Sequence, residues 1–566
     1  MRYNLTMSES KPVQFRRLAA KRKPKGRAVN DRARQFIRQL LNGAPLDKEY
    51  LIENLHRLQD SQGCLAKDNL AALAELMNLP MAAVYEVATF YHHFDVVEDD
   101  QPSPAVAVRV CRSLSCEMAG AEELMKTLKE TLGERARVIA APCVGRCDAA
   151  PVAVVGQNAV ECASQSDVET AVKNNSTAPV TPPAQTFSDY AKNGGYQVYQ
   201  ECLNGKRDVE SVLETLEKSN LRGLGGAGFP AARKWRIVRD IAGRRTVAVN
   251  IDEGEPGTFK DRYYLEQSPH LFLEGALIAA WAVGAEDIYV YLRDEYHGCR
   301  VMLEKEIAAL SSADFALPTI VLRRGAGAYI CGEESAMIES IEGKRGEPRL
   351  RPPFVAQVGV FGRPTLEHNM ETLHWVPQIL QNGAEWFSDN GRRGRVGLRS
   401  FSVSGRVAKP GVHIAPAGIT VRELIDEYCG GMADGETFYA YLPGGASGGI
   451  LPASMGDIPL DFDTLQAEDK DSFIGSAAVI ILSDKYRARD AALNMMRFFE
   501  DESCGQCSPC RVGTAKAVKL MEAERWDFAL LEELSQAMAD ASICGLGQAA
   551  PNPVRCVIKH FPNEVK

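Results

Sequence analysis

The chain is 566 residues long, 45% hydrophobic and 25% charged, with a formal net charge of -9. That is enough apolar content for large cores and too much length for one, so about three to five domains are expected and a disordered or fibrous protein is excluded. The acidic balance excludes a nucleic-acid-binding role for the chain as a whole.

Residues 1–29 run against that balance, since the stretch from Lys11 to Arg27 carries eight basic residues and no acidic one. It reads as a solvated arm, with docking onto an acidic partner and a targeting presequence as the other readings. No apolar run follows it, so secretion is not expected. The longest apolar stretch, GALIAAWAVGA from Gly275, lies between Glu274 and Glu286 and is too short to span a bilayer. The expectation is a soluble, cytoplasmic protein with no membrane association. Its 15 cysteines should then be reduced, and clustered ones are metal ligands by default.

A helical segment, residues 30–100, precedes the first cysteine set: Cys111 and Cys116 with four residues between them, then Cys143 and Cys147 with three. AVAVRV and ARVIAA read as strands before the two pairs and GAEELMKTLKETLG as an amphipathic helix between them, which places both pairs in loops after strand ends. Structural zinc knuckles usually have two-residue spacing. The wider loops here suit a 2Fe-2S cluster, with zinc as the competitor.

NNSTAPVTPPAQTFSD then reads as a polar, proline-bearing linker. RGLGGAGFPAARKW contains G-x-G-x-x-G at Gly223, Gly225 and Gly228, with Asp252 where a ribose-binding acid is expected. VESVLETLEKSNL before it has a helical period, however, where a dinucleotide fold has a strand. A standard dinucleotide site is therefore not expected. Arg222 and Lys234 flank a run of backbone N–H groups that offers a phosphate cradle at the start of the next helix, the other reading being a flexible surface turn. Asn250, Asp252, Glu253 and Glu255 follow a buried-type strand, and Glu333 and Glu334 follow a glycine turn. Carboxylates in such loops are either solvated surface or groups aimed at ribose hydroxyls or a flavin.

ESCGQCSPCRVGT places Cys504, Cys507 and Cys510 at i, i+3 and i+6. Three thiols on one short turn suit three corners of a 4Fe-4S cluster better than the tetrahedron around a single zinc. The fourth ligand is expected at Cys544, beside glycines that allow close backbone approach, with Cys556 in RCVIKHF as the alternative. Cys64, Cys162, Cys202, Cys299, Cys331 and Cys429 read as small buried hydrophobes.

Together, RGLGGAGFP, NIDEGEPGTFKDR, GAGAYICGEES, RGEPRLRPPF and ESCGQCSPCRVGT resemble the NADH-oxidising FMN subunit of respiratory complex I. The region of Cys111 to Cys147 resembles the small thioredoxin-like 2Fe-2S subunit of that complex, so the resemblance covers roughly residues 30–566. With both in one chain, and with FGRPTLEHNMETLHWV and YLPGGASGGILPASMGDIPLDFDTL, the sequence is similar to the diaphorase subunit of NAD-dependent formate dehydrogenases. The resemblance implies FMN contacts from Gly223, Gly226, Lys234, Asn250, Asp252 and Glu253, and from Tyr329, Gly332, Glu333, Asn369 and Thr372. It implies NADH contacts from Phe229, Glu255, Glu334, Arg351 and Phe354. The chain departs from the complex I pattern at Gly254, where a serine is usual, and at His368, where an asparagine is usual.

The implied architecture is a multidomain α/β chain: a thioredoxin-like 2Fe-2S domain at 101–173, a linker at 174–186, an α/β FMN- and NADH-binding domain at 187–395, a β-grasp-like domain at 396–484 and a helical 4Fe-4S domain at 485–566. A nicotinamide exchanges two electrons at once and an iron-sulfur cluster takes one, so a flavin must stand between them. No side-chain acid or base is needed for the hydride step. The implied partner is a molybdenum- or tungsten-pterin formate dehydrogenase subunit carrying further iron-sulfur clusters. The alternatives are the diaphorase subunit of a soluble NAD-linked hydrogenase, a flavin-free iron-sulfur electron-transfer scaffold and a zinc-stabilised interaction protein.

Overall fold

The computed structural model describes residues 27–99 and 106–566; the basic arm up to Gly26 and the segment 100–105 lie outside the described residues. At the centre is a four-stranded, fully parallel sheet in the order Thr365–Asn369, Arg245–Ile251, Ala285–Leu292, Thr319–Arg324. Parallel strands covered on both faces need near-continuous apolar runs, and Val247 to Val249 and Ile288 to Leu292 supply them. The apolar stretch from Gly275 is part of one covering helix, Pro269–Val283, which starts on proline and ends at Gly284 in the left-handed region. A Cβ at Gly275 would sit 1.9 Å from the Leu373 carbonyl oxygen, so only glycine lets this helix press against Met370–Asn382. No helix among the described residues is long and apolar enough to cross a membrane.

His374, on Met370–Asn382, is buried with its ring centroid 3.9 Å from that of Tyr264, and burial lowers its pKa to about 3. An unfolded histidine takes up a proton below about pH 6.5, while the native one stays neutral, so folding stability must fall as pH drops through that window. The slope from this one group approaches about 1.4 kcal/mol per pH unit. Urea unfolding between pH 6.5 and 4 should therefore show a shallower pH dependence in His374→Phe than in the parent; equal slopes would show that the cost lies elsewhere.

The thioredoxin-like unit has the sheet order Arg137–Ala141, Ala107–Cys111, Ala153–Val155, Asn158–Val160, with the first pair parallel and the rest antiparallel. The crossover between the parallel strands is the amphipathic helix Ala121–Leu132. Three placements differ from the sequence reading. Cys111 is the last residue of its strand rather than a loop residue, and Cys116 lies in a short helix, Leu114–Met118. Cys162, expected to be buried, is exposed and has φ of 45°, a turn conformation that turns the thiol away from the core.

A five-stranded mixed sheet follows, ordered Gly411–Pro416, Leu398–Gly405, Ala478–Ser483, Phe438–Leu442, Leu451–Pro452. Its central strand, Ala478–Ser483, is buried at every position. Helices Ala488–Asp501, Ser508–Met521, Phe528–Ala541 and Asn552–His560 form the C-terminal bundle. The N-terminal helices Leu51–Gln62, Lys67–Leu76 and Met81–Phe90 share one apolar cluster with this bundle and with the helix Glu334–Ile341.

The thioredoxin-like unit docks on the parallel-sheet domain and on the strand Leu398–Gly405 of the five-stranded sheet, with polar contacts to both. Arg262, nearly buried, pairs with Asp148 at 2.6 Å. Arg293 donates one N–H to the Cys143 carbonyl at 2.6 Å and another to the Glu253 carbonyl. The Ser115 and Ser404 hydroxyls meet at 2.9 Å.

Candidate flavin site and iron-sulfur centres

The glycine loop joins two helices, Val209–Lys218 and Ala231–Asp240, and no strand precedes it. It closes on itself: Gly223 N–H donates to the Phe229 carbonyl at 2.8 Å, and Arg222 bridges Pro230. A Cβ at Gly225 would lie 2.9 Å from Asn369 Cβ, and Leu224 N–H donates to Thr372 Oγ1 at 2.9 Å. The loop therefore rests on the start of Met370–Asn382, which Asn369 caps by accepting from Glu371 N–H at 3.1 Å. Gly226 has φ of +143° and no atom within 4 Å of where a Cβ would stand, so the loop opens there onto free space. Valine at this position should strain the backbone and fill that space. FMN affinity of Gly226→Val should fall roughly five- to hundredfold, given a conformational cost of about 1–3 kcal/mol, and full flavin loading of the purified variant would move the cofactor away from this loop.

Arg222 does not fit the phosphate-cradle reading. Its guanidinium lies 4.6 Å from the Phe462 ring centre, donates to the Gly228 carbonyl and faces Asp463 at 3.4 Å. Lys234 points the other way: Nζ is 2.7 Å from Glu367 and 3.8 Å from Glu334. Glu367 was not visible as a site residue in the sequence, because it sits mid-strand in an apolar context. Its other oxygen accepts from Asn250 Nδ2 at 3.2 Å, and the same amide reaches the Gly332 carbonyl at 3.0 Å. Lys234, Asn250, Gly332 and Glu334 are thereby drawn into one polar wall.

The carboxylates divide by use. Glu333 caps the helix Glu334–Ile341, accepting from Ser335 N–H at 3.0 Å and Ala336 N–H at 2.9 Å, and it pairs with Arg351. Arg351 also lies 3.2 Å from Glu334. Asp252 has one buried oxygen, Oδ2, without a hydrogen-bond partner among the described residues, and burial raises its pKa well above the usual range. A Cβ at Gly332 would stand 3.1 Å from the Asp252 carbonyl oxygen, which explains the glycine. Glu253 is occupied within the protein: it accepts from Asp261 N–H at 2.8 Å, Arg262 N–H at 3.2 Å and Tyr296 OH at 2.7 Å, and burial raises its pKa to about 7. Its carboxylate thus holds the start of the helix Lys260–Gln267. Glu255 accepts from Ser447 N–H and Oγ, both at 2.8 Å, and from Tyr329 OH, while Tyr329 N–H donates to Glu502 at 2.8 Å.

At the two departures from the complex I pattern the local geometry is explicit. A Cβ at Gly254 would come within 3.0 Å of the Tyr329 ring, so a serine requires a shifted tyrosine. His368 is buried and its Nε2 accepts from Trp235 Nε1–H at 2.8 Å; burial and the nearby Lys234 keep it neutral. Phe229 and Phe354 present large apolar rings to solvent, 40% and 53% exposed, beside polar walls otherwise well satisfied.

Cys504, Cys507, Cys510 and Cys544 line one small pocket together with Ile330 and Pro348. Cys556 lies in the helix Asn552–His560, buried, with its sulfur 3.6 Å from the Ser472 hydroxyl, and does not line this cavity. Cys111, Cys116, Cys143 and Cys147 are all buried, with the Cys143 and Cys147 sulfurs 3.4 Å apart. A single tetrahedral zinc would draw its thiolates to about 3.8 Å of one another, given Zn–S bonds of about 2.3 Å. The 3.4 Å pair is compatible with two thiolates on one metal centre, zinc or iron. A smaller cavity next to Cys143 reaches Asp252, Arg293, Tyr329 and Glu502, so the first cysteine set adjoins the flavin-domain loops.

A glycine cradle on a parallel sheet, beside two cysteine sets of this kind, defines a flavin- and iron-sulfur-dependent NADH oxidoreductase. Three family models match: the thioredoxin-like [2Fe-2S] ferredoxin over residues 37–176, the Nuo51 FMN-binding domain over 216–378 and the NADH-ubiquinone oxidoreductase-F iron-sulfur binding region over 490–566. The chain belongs to the family of the FMN-binding, NADH-oxidising subunits of NADH-quinone oxidoreductase. It is 40% identical over 399 residues to the second such NADH-quinone oxidoreductase chain of Rhizobium meliloti (strain 1021), covering 68% of this chain and 94% of that one. With the corresponding NADH-quinone oxidoreductase chain of Aquifex aeolicus (strain VF5) it shares 39% identity over 398 residues, covering 68% and 91%. Among solved structures, NAD+-reducing [NiFe]-hydrogenase in the H2-reduced state aligns with a TM-score of 0.81 at 32% identity, over 91% of this chain and 93% of that one. The chain is thus an NADH/FMN diaphorase subunit with a 2Fe-2S thioredoxin-like domain and a 4Fe-4S region.

Proposed function

We propose that this chain is the diaphorase subunit of a cytoplasmic NAD-dependent formate dehydrogenase, which as a complex converts formate and NAD+ to CO2 and NADH. The observation that carries the diaphorase core is the junction itself, where Arg293 joins the Cys143 carbonyl to the Glu253 carbonyl and so ties one cysteine set to the flavin-domain loop. FMN, when bound, exchanges a hydride with the nicotinamide and single electrons with the clusters. Gly223, Gly226, Asn369 and Thr372 would hold it by close backbone approach, with Lys234, Asn250, Asp252, Gly332 and Glu333 along the polar wall. Tyr329 and Glu253 would reach it from the loops that they hold. Phe229 and Phe354 would pack on the dinucleotide, with Glu255, Glu334 and Arg351 positioned for its polar groups. Cys111, Cys116, Cys143 and Cys147 would ligate the 2Fe-2S cluster, and Cys504, Cys507, Cys510 and Cys544 the 4Fe-4S cluster.

Formate as the substrate rests on FGRPTLEHNMETLHWV and GDIPLDFDTL, and the electrons would come from a molybdenum- or tungsten-pterin subunit. A second reading, the diaphorase subunit of an NAD-linked hydrogenase, is favoured by the structural likeness over 91% of the chain. The isolated chain should reduce ferricyanide with NADH and ignore both formate and hydrogen. The native complex, purified and assayed with each, separates the readings: formate-dependent NAD+ reduction supports the first, while hydrogen-dependent reduction with nickel present and formate inert overturns it.

Glu334→Gln should weaken NADH binding. The loss of one charge-assisted hydrogen bond, about 1.5–3 kcal/mol, corresponds to a roughly ten- to hundredfold weaker affinity. FMN content should stay unchanged. Flavin loss with unaltered NADH affinity would move Glu334 from the dinucleotide to the flavin.

A further inference from the structure

Arg293 stands just beyond the strand Ala285–Leu292, where the thioredoxin-like unit meets the flavin-domain loops, and its side chain is 4% exposed. Each nitrogen of its guanidinium is engaged: Nη1 donates to the Glu253 carbonyl, Nη2 to the Cys143 carbonyl at 2.6 Å and Nε to Glu295 at 3.0 Å. The Tyr296 ring centre lies 5.1 Å from it. An arginine stays protonated throughout the range in which proteins are folded, so this is a fixed buried charge. A neutral amide would serve to bridge two carbonyls. A fixed charge also acts on any neighbouring group whose own charge changes.

That neighbour is Cys143. Its carbonyl and its thiol belong to one residue, so the guanidinium gripping the first is held within a side chain's reach of the second. The carboxylates around it are otherwise occupied. Glu255 accepts from Ser447 and Tyr329, and Glu502 from Tyr329 N–H. The Glu253 carboxylate accepts from Asp261 N–H, Arg262 N–H and Tyr296 OH. Asp148, next to Cys147, is paired with Arg262 at 2.6 Å, and burial raises the pKa of Asp252 well above the usual range. Among the described residues that line the small cavity next to Cys143, Arg293 is the one cation.

We propose that Arg293 sets the reduction potential of the 2Fe-2S centre, holding it above the value that four buried thiolates would give without a cation; this rests on Cys111, Cys116, Cys143 and Cys147 as its ligands. Reduction adds one electron, and so one negative charge, to a cluster that its thiolates already make anionic, and a buried cation stabilises that added charge far more than it would in water. The centre becomes a readier acceptor of the single electrons that leave the flavin domain. Glu295 works in the opposite sense by offsetting part of the arginine's charge, and less strongly, since its side chain is 18% exposed.

The test is an EPR-monitored redox titration of the full chain with FMN and both clusters in place. Arg293→Gln keeps a donor and removes the charge. The midpoint of its 2Fe-2S signal should fall by the equivalent of at least about a tenfold change in the ratio of oxidised to reduced cluster, about 59 mV for a one-electron couple. Arg293→Lys keeps the charge, and its midpoint should fall less. Glu295→Gln should raise the midpoint. The 4Fe-4S signal should move less than the 2Fe-2S signal in each variant, which a general loosening of the fold would not produce. An unchanged 2Fe-2S midpoint in Arg293→Gln with its iron intact overturns the proposal, as do equal falls in Arg293→Gln and Arg293→Lys, which would trace the shift to lost contacts. Should Arg293→Gln lose its cluster, Glu295→Gln decides: a raised midpoint supports the role of the charge, and a lowered or unchanged one overturns it. A 2Fe-2S signal that persists unaltered in Cys143→Ser overturns the ligand assignment instead, and the proposal with it.

Discussion

Cys544→Ser should lack the 4Fe-4S signal and fail to pass electrons from NADH to a partner, while NADH still bleaches the flavin. The cavity shared by Cys504, Cys507, Cys510 and Cys544 has no other sulfur on its wall, so the missing corner has no replacement. Burial raises the Cys544 thiol to about 12 and that of Cys510 to about 11, so both are neutral without iron and cluster binding must displace their protons. A serine hydroxyl is far harder to deprotonate in the same apolar surroundings. Cys556→Ser is the matched control, since its thiol faces Ser472 in another part of the bundle. EPR of the reduced proteins measures both. An intact 4Fe-4S signal in folded Cys544→Ser, with loss in Cys556→Ser, would exchange the two assignments.

Lys260→Met should destabilise the flavin domain by about 3–5 kcal/mol, the usual cost of removing one partner from a buried ion pair. Lys260, Asp261 and Glu371 are each 1% exposed, and Nζ lies 2.8 Å from Asp261, 3.1 Å from Glu371 and 3.3 Å from Asn369 Oδ1. Methionine fills the same length and leaves two carboxylates buried without their cation. Asn369, under the glycine loop, loses a donor at the same time, so FMN content should fall together with stability. Glu371→Gln in the Lys260→Met background removes one of the stranded charges and should recover part of the loss. Urea unfolding of the three proteins measures this; a loss below about 1 kcal/mol in Lys260→Met would mean that water replaces the ammonium.

The cysteine sets were legible because thiol spacing is local: a turn that carries three sulfurs announces itself within seven residues. One strand of the parallel sheet, Arg245–Ile251, was legible as a buried-type strand, and the absence of a strand before Gly223 correctly separated this loop from a dinucleotide fingerprint. What escaped notice depends on residues far apart in sequence. Nothing local marks Lys260, Asp261 and Arg262 as buried, yet all three are, because Asp148, Glu253 and Glu371 arrive from elsewhere in the chain. Arg222 beside the glycines resembled a phosphate ligand until Phe462 and Asp463, some 240 residues later, claimed its guanidinium. Glu253 had the composition of a site carboxylate and the position of a helix cap, and spacing alone does not distinguish the two.

The polar docking of the thioredoxin-like unit has a consequence for how the chain tolerates change. Arg262–Asp148 and the Arg293 contacts on the parallel-sheet domain and Ser115–Ser404 on the five-stranded sheet stand beside apolar packing of Phe259 against Cys143 and Cys147. Here the two parts are tethered through residues 174–186, and a short tether gives each an effective concentration near the other on the order of millimolar. Docking is then nearly always occupied, and loss of one polar contact shifts that occupancy little. Cutting the tether leaves the N-terminal helices packed in the apolar cluster they share with the bundle, so electron delivery between the two halves should be independent of protein concentration in the severed chain as in the intact one.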